Sequence, residues 1–516
     1  MPSKLGLSDY DPVTNPRSSE SSTEETFGDA WESFPRRNSK DVSEEDRSFP
    51  GSENRSSTFP DSNPSNDRSF SDAPREEVKA GKDWESFSRS PSRHVPAGAA
   101  PQVPKNSFIL KRGHALSFAG LFLFTFVLYF RPYELFPALT WMSTIAFWIA
   151  LFTVAIFVPT QMGLEGGLTS RPREVILLLL LVVTALLSIP FAFDRTVAWG
   201  SLTEYLKVVV MFIVMVNVVR TEKRLRALLL LALSASCFLS VAAINDYRLG
   251  NLGLQGRRIA GVIGGIFENP NDLALHLVTM IPISLGLMFA SRSLLKKAAY
   301  ILCSLLMVLG VIVTFSRGGF IALVGSICFL IWKLMPRGRP IGVMLGLLAI
   351  LSMVSFAPSA FRSRISTTQD ESAMARFDDL KRSVFLTVRH PLLGIGMGNY
   401  SLYSNRAKAT HNSYTQVGAE MGIAAAIIYL LFVVAPLKPL RVIERENGGM
   451  KKKPRFYYLA IAFQASLIAY MFASFFASVA YLWYVYYLVA YAVCLRRIYQ
   501  TAQSQHANSA VTIYSK

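Results

Sequence analysis

The side chains able to do chemistry in this chain gather between its apolar runs. A polar, arginine-rich stretch over 359–412 ends at His411-Asn412-Ser413-Tyr414 and passes directly into an apolar run carrying Glu420 and Gly422. Arg257 and Arg258 precede Phe267-Glu268-Asn269-Pro270-Asn271-Asp272, and Thr314-Phe315-Ser316-Arg317-Gly318-Gly319 separates two further apolar runs. An imidazole, with an ordinary pKa of about 6.5, suits the removal of a proton near neutral pH. Guanidinium forks hold phosphate oxygens in bidentate fashion and stay charged. The combination points to a hydroxyl losing its proton while an anionic group leaves.

These residues need helices and turns to position them. Asn269 reads as an N-cap with Pro270 at the first helical position, which turns the positive end of a helix toward any nearby anion. Glu268 and Asp272 can occupy that end instead, and a well-capped helix start explains the segment equally well. Gly318 and Gly319 suggest a tight reversal that leaves Arg317 at a membrane boundary, either anchored to lipid phosphate or supporting a site. From Ser372 to His390, the residues Phe377, Leu380, Val384 and Val388 recur at helical spacing. That predicts an amphipathic helix on the bilayer, carrying Arg376 and presenting Asp378-Asp379 on a solvated face rather than as a metal pair. His390-Pro391 ends this helix. The following Gly394, Gly396 and Gly398 form a turn, because no strand precedes them to make a dinucleotide fingerprint. His411 and Gly422 stand about 20° apart on a helical wheel, so Gly422 is expected to clear space beneath His411.

With 51% hydrophobic and only 17% charged residues, the chain reads as an all-α polytopic membrane protein behind a polar tail. Residues 1–104 carry more acid than base and few aliphatic side chains, which predicts disorder. Trp31-Glu32-Ser33-Phe34 recurs there as Trp84-Glu85-Ser86-Phe87, read either as a docking motif or as chance in a biased segment. About twelve spans follow, over 115–130, 139–159, 174–193, 198–219, 225–244, 271–290, 298–316, 318–335, 340–358, 413–436, 457–476 and 479–495. Placing the N-terminus in the cytoplasm puts the Lys/Arg-rich short loops on one side, together with a C-terminal tail at 496–516. The loop over 359–412 then faces the periplasm. The net charge of +18 belongs to the membrane part and suggests anionic lipid or phosphate partners. Basic residues scattered between spans argue against nucleic acid. Glu204 and Lys207 are spaced for a local ion pair, and Cys237, Cys303, Cys328 and Cys494 read as packing residues.

Arg258-x-x-Gly261 with Phe267-x-Asn269-Pro270-Asn271, then Ser316-Arg317-Gly318-Gly319, Arg376, His390-Pro391-Leu392-Leu393-Gly394 and His411-x10-Gly422 resemble the O-antigen ligase family. That superfamily also holds O-antigen polymerases and protein O-oligosaccharyltransferases. The resemblance covers 115–495 and implies a GT-C-like helical bundle in the bacterial inner membrane with a periplasmic active site. It implies transfer of glycan from an undecaprenyl-diphosphate-linked donor to an acceptor hydroxyl. Electrostatic stabilisation by arginines can replace the divalent metal common in glycosyl transfer, so neither metal nor cofactor is expected. By motif, His411 would be the base, and Arg258 and Arg376 would hold the diphosphate, with Arg257 as the adjacent alternative. Arg317, Asn269, Asn271, Asn412 and Tyr414 would line the substrate site, while Gly422, Glu420, Gly394 and Gly396 would support it. One departure is Leu380, where the family often has tryptophan four residues after the loop arginine. The acceptor is left open among a glycan, lipid A-core and a protein. A polysaccharide polymerase uses the same donor chemistry. A secondary transporter is the reading from another class, but the spans show no internal repeat and their polar groups collect on one outer face.

Overall fold

The computed structural model describes residues 108–251, 259, 261, 263, 267, 269–335, 340, 344, 348, 371–404 and 409–514, and among these it is all helical. Eight long apolar helices come first: α1 (Phe108–Phe130), α2 (Ile145–Glu165), α3 (Arg173–Ser188), α4 (Arg195–Val218), α5 (Glu222–Leu249), α6 (Pro270–Ala290), α7 (Leu294–Val313) and α8 (Arg317–Leu334). The surface helix α9 (Glu371–Arg389) interrupts them. Then come α10 (Ser413–Val434), the basic amphipathic α11 (Leu437–Gly448), α12 (Arg455–Ala473) and α13 (Trp483–Tyr514).

Ten helices among the described residues are long and apolar enough to cross a membrane, so this is a multi-pass membrane protein. Two of the twelve expected spans are not among the ten. The run at 340–358 lies outside the described residues apart from Pro340, Met344 and Leu348. The last run forms α13, which begins at Trp483 rather than 479 and continues through the expected tail to Tyr514. Its Tyr484, Tyr486, Tyr487 and Tyr491 lower its hydropathy, yet all are buried in protein. The Tyr487 hydroxyl pairs with Thr125 at 3.0 Å and Tyr486 donates to the Ala480 carbonyl at 2.7 Å. A helix surrounded by other helices has no need of a lipid-like surface.

α6 and α12 form the buried centre, flanked by α13. The two ends of the bundle are tied differently. At one end Arg496 of α13 makes a bidentate pair with buried Glu174 of α3, at 2.9 and 3.0 Å. Arg455, at the start of α12, pairs with Glu222 at the same end. At the other end α4, α6, α8 and α10 all begin, capped by Asp194, Asn269, Ser316 and Asn412. The expected Lys207–Glu204 pair is present at 2.6 Å, half exposed.

Candidate active site

α10 is broken a little before its midpoint. Gly422 has φ 88° and ψ 174°, far from helical values. A broken helix inside a membrane protein leaves backbone groups that must find partners. The segment after α9 supplies them. The N–H groups of Ile395 and Gly396 donate to the carbonyls of Ala419 and Glu420 at 2.9 Å, and Ile423 N–H donates to Pro391 O at 2.8 Å. A Cβ on Gly422 would stand 2.4 Å from Leu392 O, and one on Gly394 would stand 2.3 Å from the Glu420 carbonyl carbon. Both glycines also have positive φ. The expectation that Gly422 clears space beneath His411 is therefore wrong. No continuous helix joins the two residues, and Gly422 seats the His390–Gly396 turn. Glu420 is buried, with Oε1 accepting from Tyr400 N–H at 3.4 Å.

Three helix starts are then linked in a series that ends at α10, directly after His411. Asn269 caps α6 through Asn271 N–H, and the Asn271 Oδ1 accepts from Ser316 Oγ at 3.0 Å, joining α6 to α8. Ser316 caps α8 through Gly319 N–H, so Arg317 is the first helical residue. The reversal before it is made by Phe315, at φ 52°, rather than by the glycines. Gly318 and Gly319 instead let α8 close against Phe476 and Ala274. The connection from α12 to α13 reaches α10 in turn. Ser413 Oγ donates to Ala477 O at 2.7 Å and accepts from Val479 N–H at 2.9 Å, and Thr410 pairs with Ser478 at 2.8 Å. Asn412 Oδ1 accepts from the N–H groups of Tyr414 and Thr415. The Tyr414 hydroxyl donates to Met471 O at 3.1 Å. His411, half-buried between Thr410 and Asn412, is held at φ 52°. A side chain kept in that sparsely populated region marks a position that its surroundings over-determine.

The surface helix α9 packs over α10. Ser383 Oγ donates to Thr415 Oγ1 at 2.9 Å, and Thr387 covers Gly418. Arg376, half-buried, is seven residues before Ser383 and so lies on the same face. Asp378 is exposed but Asp379 is buried, with its carbonyl accepting from the Tyr400 hydroxyl at 2.9 Å. The expected solvated Asp378-Asp379 face is thus half wrong, because the helix turns its second aspartate toward α10 and the loop. Burial, with Asp379 and Glu420 nearby, raises the Tyr400 pKa and keeps that hydroxyl a donor. Arg257 and Arg258 lie outside the described residues.

Between α8, α9, α10 and α12 runs an apolar groove of about 1090 Å³. Its walls include Val384, Val388, Ile427 and Phe472. Asn412, Tyr414 and Thr415 line the part that follows His411 in the chain, and Leu430, beyond the break at Gly422, also lies on its wall. The apolar residues Leu380, Val384 and Val388 of α9 line this groove. Sequence patterning placed a short turn near 477 but revealed neither the groove nor the bonds that tie this turn to Thr410 and Ser413.

Residues 302–430 match a family model described as O-antigen ligase, from within α7 through α8 and α9 into the second half of α10. No curated protein matches the chain.

Proposed function

We propose that this multi-pass membrane protein, built around the O-antigen ligase domain of residues 302–430, moves glycan from a polyprenyl diphosphate onto an acceptor hydroxyl. The reading is supported by one observation: the capped start of α10, which directly follows His411, lines one end of a large apolar groove through Asn412, Tyr414 and Thr415, and is linked through the 476–479 connection to the starts of α8 and α6. A polyprenyl diphosphate has that same division, an apolar chain joined to a doubly anionic head. Helix N-termini and guanidinium groups favour the head, and the groove favours the chain.

In the reaction, the acceptor oxygen forms a bond to the anomeric carbon while the carbon–oxygen bond to the diphosphate breaks. The electron pair leaves with the lipid diphosphate, and the hydroxyl proton passes to the His411 imidazole. Arg376 and Arg258 bind the departing charge, Arg258 on sequence grounds alone, with Arg257 as its alternative. Arg317 and the α6 start, through Asn269 and Asn271, complete the anionic side, while Asn412 and Tyr414 border the groove. Two or three guanidinium groups supply the charge that a divalent ion would bring, so the reaction proceeds without metal. Positive-inside loops orient the site toward the periplasm of a bacterial inner membrane, with both termini cytoplasmic.

Ligase and polymerase share this chemistry and differ only in acceptor. The test is purified protein with undecaprenyl-diphosphate oligosaccharide, with and without lipid A-core. Glycan on the lipid A-core identifies a ligase, and longer lipid-linked glycan identifies a polymerase. Donor left intact with every acceptor refutes transfer altogether.

A further inference from the structure

At the end of the bundle opposite His411, three arginines from separate elements converge on the last turn of α4. Arg220 donates through Nε to Asn217 O at 2.6 Å, Arg224 of α5 donates through Nη1 to Val218 O at 2.9 Å, and Arg497 of α13 donates through Nη1 to Val216 O. Cations capping a helix C-terminus are favourable in themselves. Yet Arg224 and Arg497 each direct one Nη1 of a five-donor guanidinium to a carbonyl. Arg220 lies within electrostatic reach of both, and Arg496 adds to the repulsion on Arg497. Arg220 Nη2 sits 2.8 Å from Glu165, the carboxylate paired with this cluster among the described residues, and donates to Gln161 Oε1 at 3.1 Å. Like charges so arranged repel unless an anion joins them.

A second observation is independent of the arginines. His114, near the start of α1, is 8% exposed, and neither ring nitrogen has a hydrogen-bond partner. Arg220, Arg224 and Glu165 are its charged neighbours. A buried imidazole without a partner is costly and calls for a polar group beside it. Exposed apolar residues follow the cluster's own residues along the chain: Leu116, two residues after His114, at 56% exposure, and Met162, one residue after the Arg220 partner Gln161, at 53%.

We infer that Arg220, Arg224, Arg497 and His114 bind the phosphate of an anionic phospholipid, whose acyl chains lie along Leu116 and Met162. Guanidinium forks match phosphate oxygens, and the imidazole completes the set. The adjoining lipid-facing surface selects a lipid over a soluble phosphate. This site is separate from the transfer chemistry and stands whether or not that reading holds.

The test is native mass spectrometry of the full chain in detergent, titrated with dioleoylphosphatidylglycerol or dioleoylphosphatidylcholine. Phosphatidylglycerol should be retained preferentially, and Arg224→Gln and Arg497→Gln should each weaken it about tenfold. Lys296→Gln, which removes one exposed cation at the same end, should leave retention unchanged. His114→Leu should raise the melting temperature in lipid-free detergent yet lower phosphatidylglycerol retention. If Arg224→Gln fails to fold, Arg224→Lys keeps the charge and should still lose several-fold in affinity. Equal retention of the two lipids, or an equal loss in Lys296→Gln, would overturn the site. Displacement by millimolar inorganic phosphate would overturn its assignment to a lipid.

Discussion

At the scale of single residues, the account rests on His411 and Arg376, two side chains with different tasks. His411→Ala removes the proton acceptor but leaves the Asn412 cap and the Ser413 bonds to Ala477 and Val479 in place. It should lower glycan transfer by at least about a hundredfold with normal membrane insertion. A purified His411→Ala variant with near wild-type turnover would remove His411 as the base. Arg376→Lys keeps the charge and loses the fork, so donor affinity and turnover should both fall. Unchanged kinetics on a soluble lipid-diphosphate analogue would free Arg376 from that role. His411 was legible because a histidine at a loop-to-helix junction is a conspicuous base. Its positive φ was not legible, since it is imposed by Thr410, Ser413 and the distant Ser478.

At the scale of elements, the break in α10 and the turn seated in it are one structural unit. Gly422→Ala forces a Cβ toward Leu392 O at a positive φ. It should cost about 1–3 kcal/mol or more, seen as a lowered melting temperature. An unchanged melting temperature would mean that the break is not rigidly seated. The glycines themselves stood out in the sequence, but their partners did not. A hydrophobic run from 413 to 436 looks like one straight helix, and only tertiary hydrogen bonds from 391–396 reveal the interruption. The amphipathic period of α9 was readable for a similar reason in reverse, because a two-sided helix writes both its faces into local spacing. What that period left open was what α9 covers. The structure puts it over α10, with Leu380 and Val384 on the groove wall. Filling the groove by Ile427→Trp should raise the KM for a long-chain donor more than for a truncated one. Equal effects on both donors would show that the groove does not hold the chain.

At the scale of the whole molecule, hydropathy located ten spans because contact with lipid demands apolar surface. It placed the last span at 479–495, whereas α13 runs from Trp483 to Tyr514 with its tyrosines packed against protein neighbours. The same bundle carries His411 at one end and the arginines around Arg220 at the other. The first is assigned to a reaction and the second to a lipid. The reaction is expected to persist in excess chelator, since guanidinium charge cannot be stripped away. Loss of activity that magnesium or manganese restores would bring a metal into the mechanism and leave the arginines a positioning role. The most direct measurement is single-turnover release of polyprenyl diphosphate from a defined lipid-linked oligosaccharide, followed alongside glycan appearing on the acceptor. The account predicts equal amounts of both products from the wild-type protein, and neither from His411→Ala despite unimpaired donor binding. Intact donor with wild-type protein, or equal release by the His411→Ala variant, would contradict it.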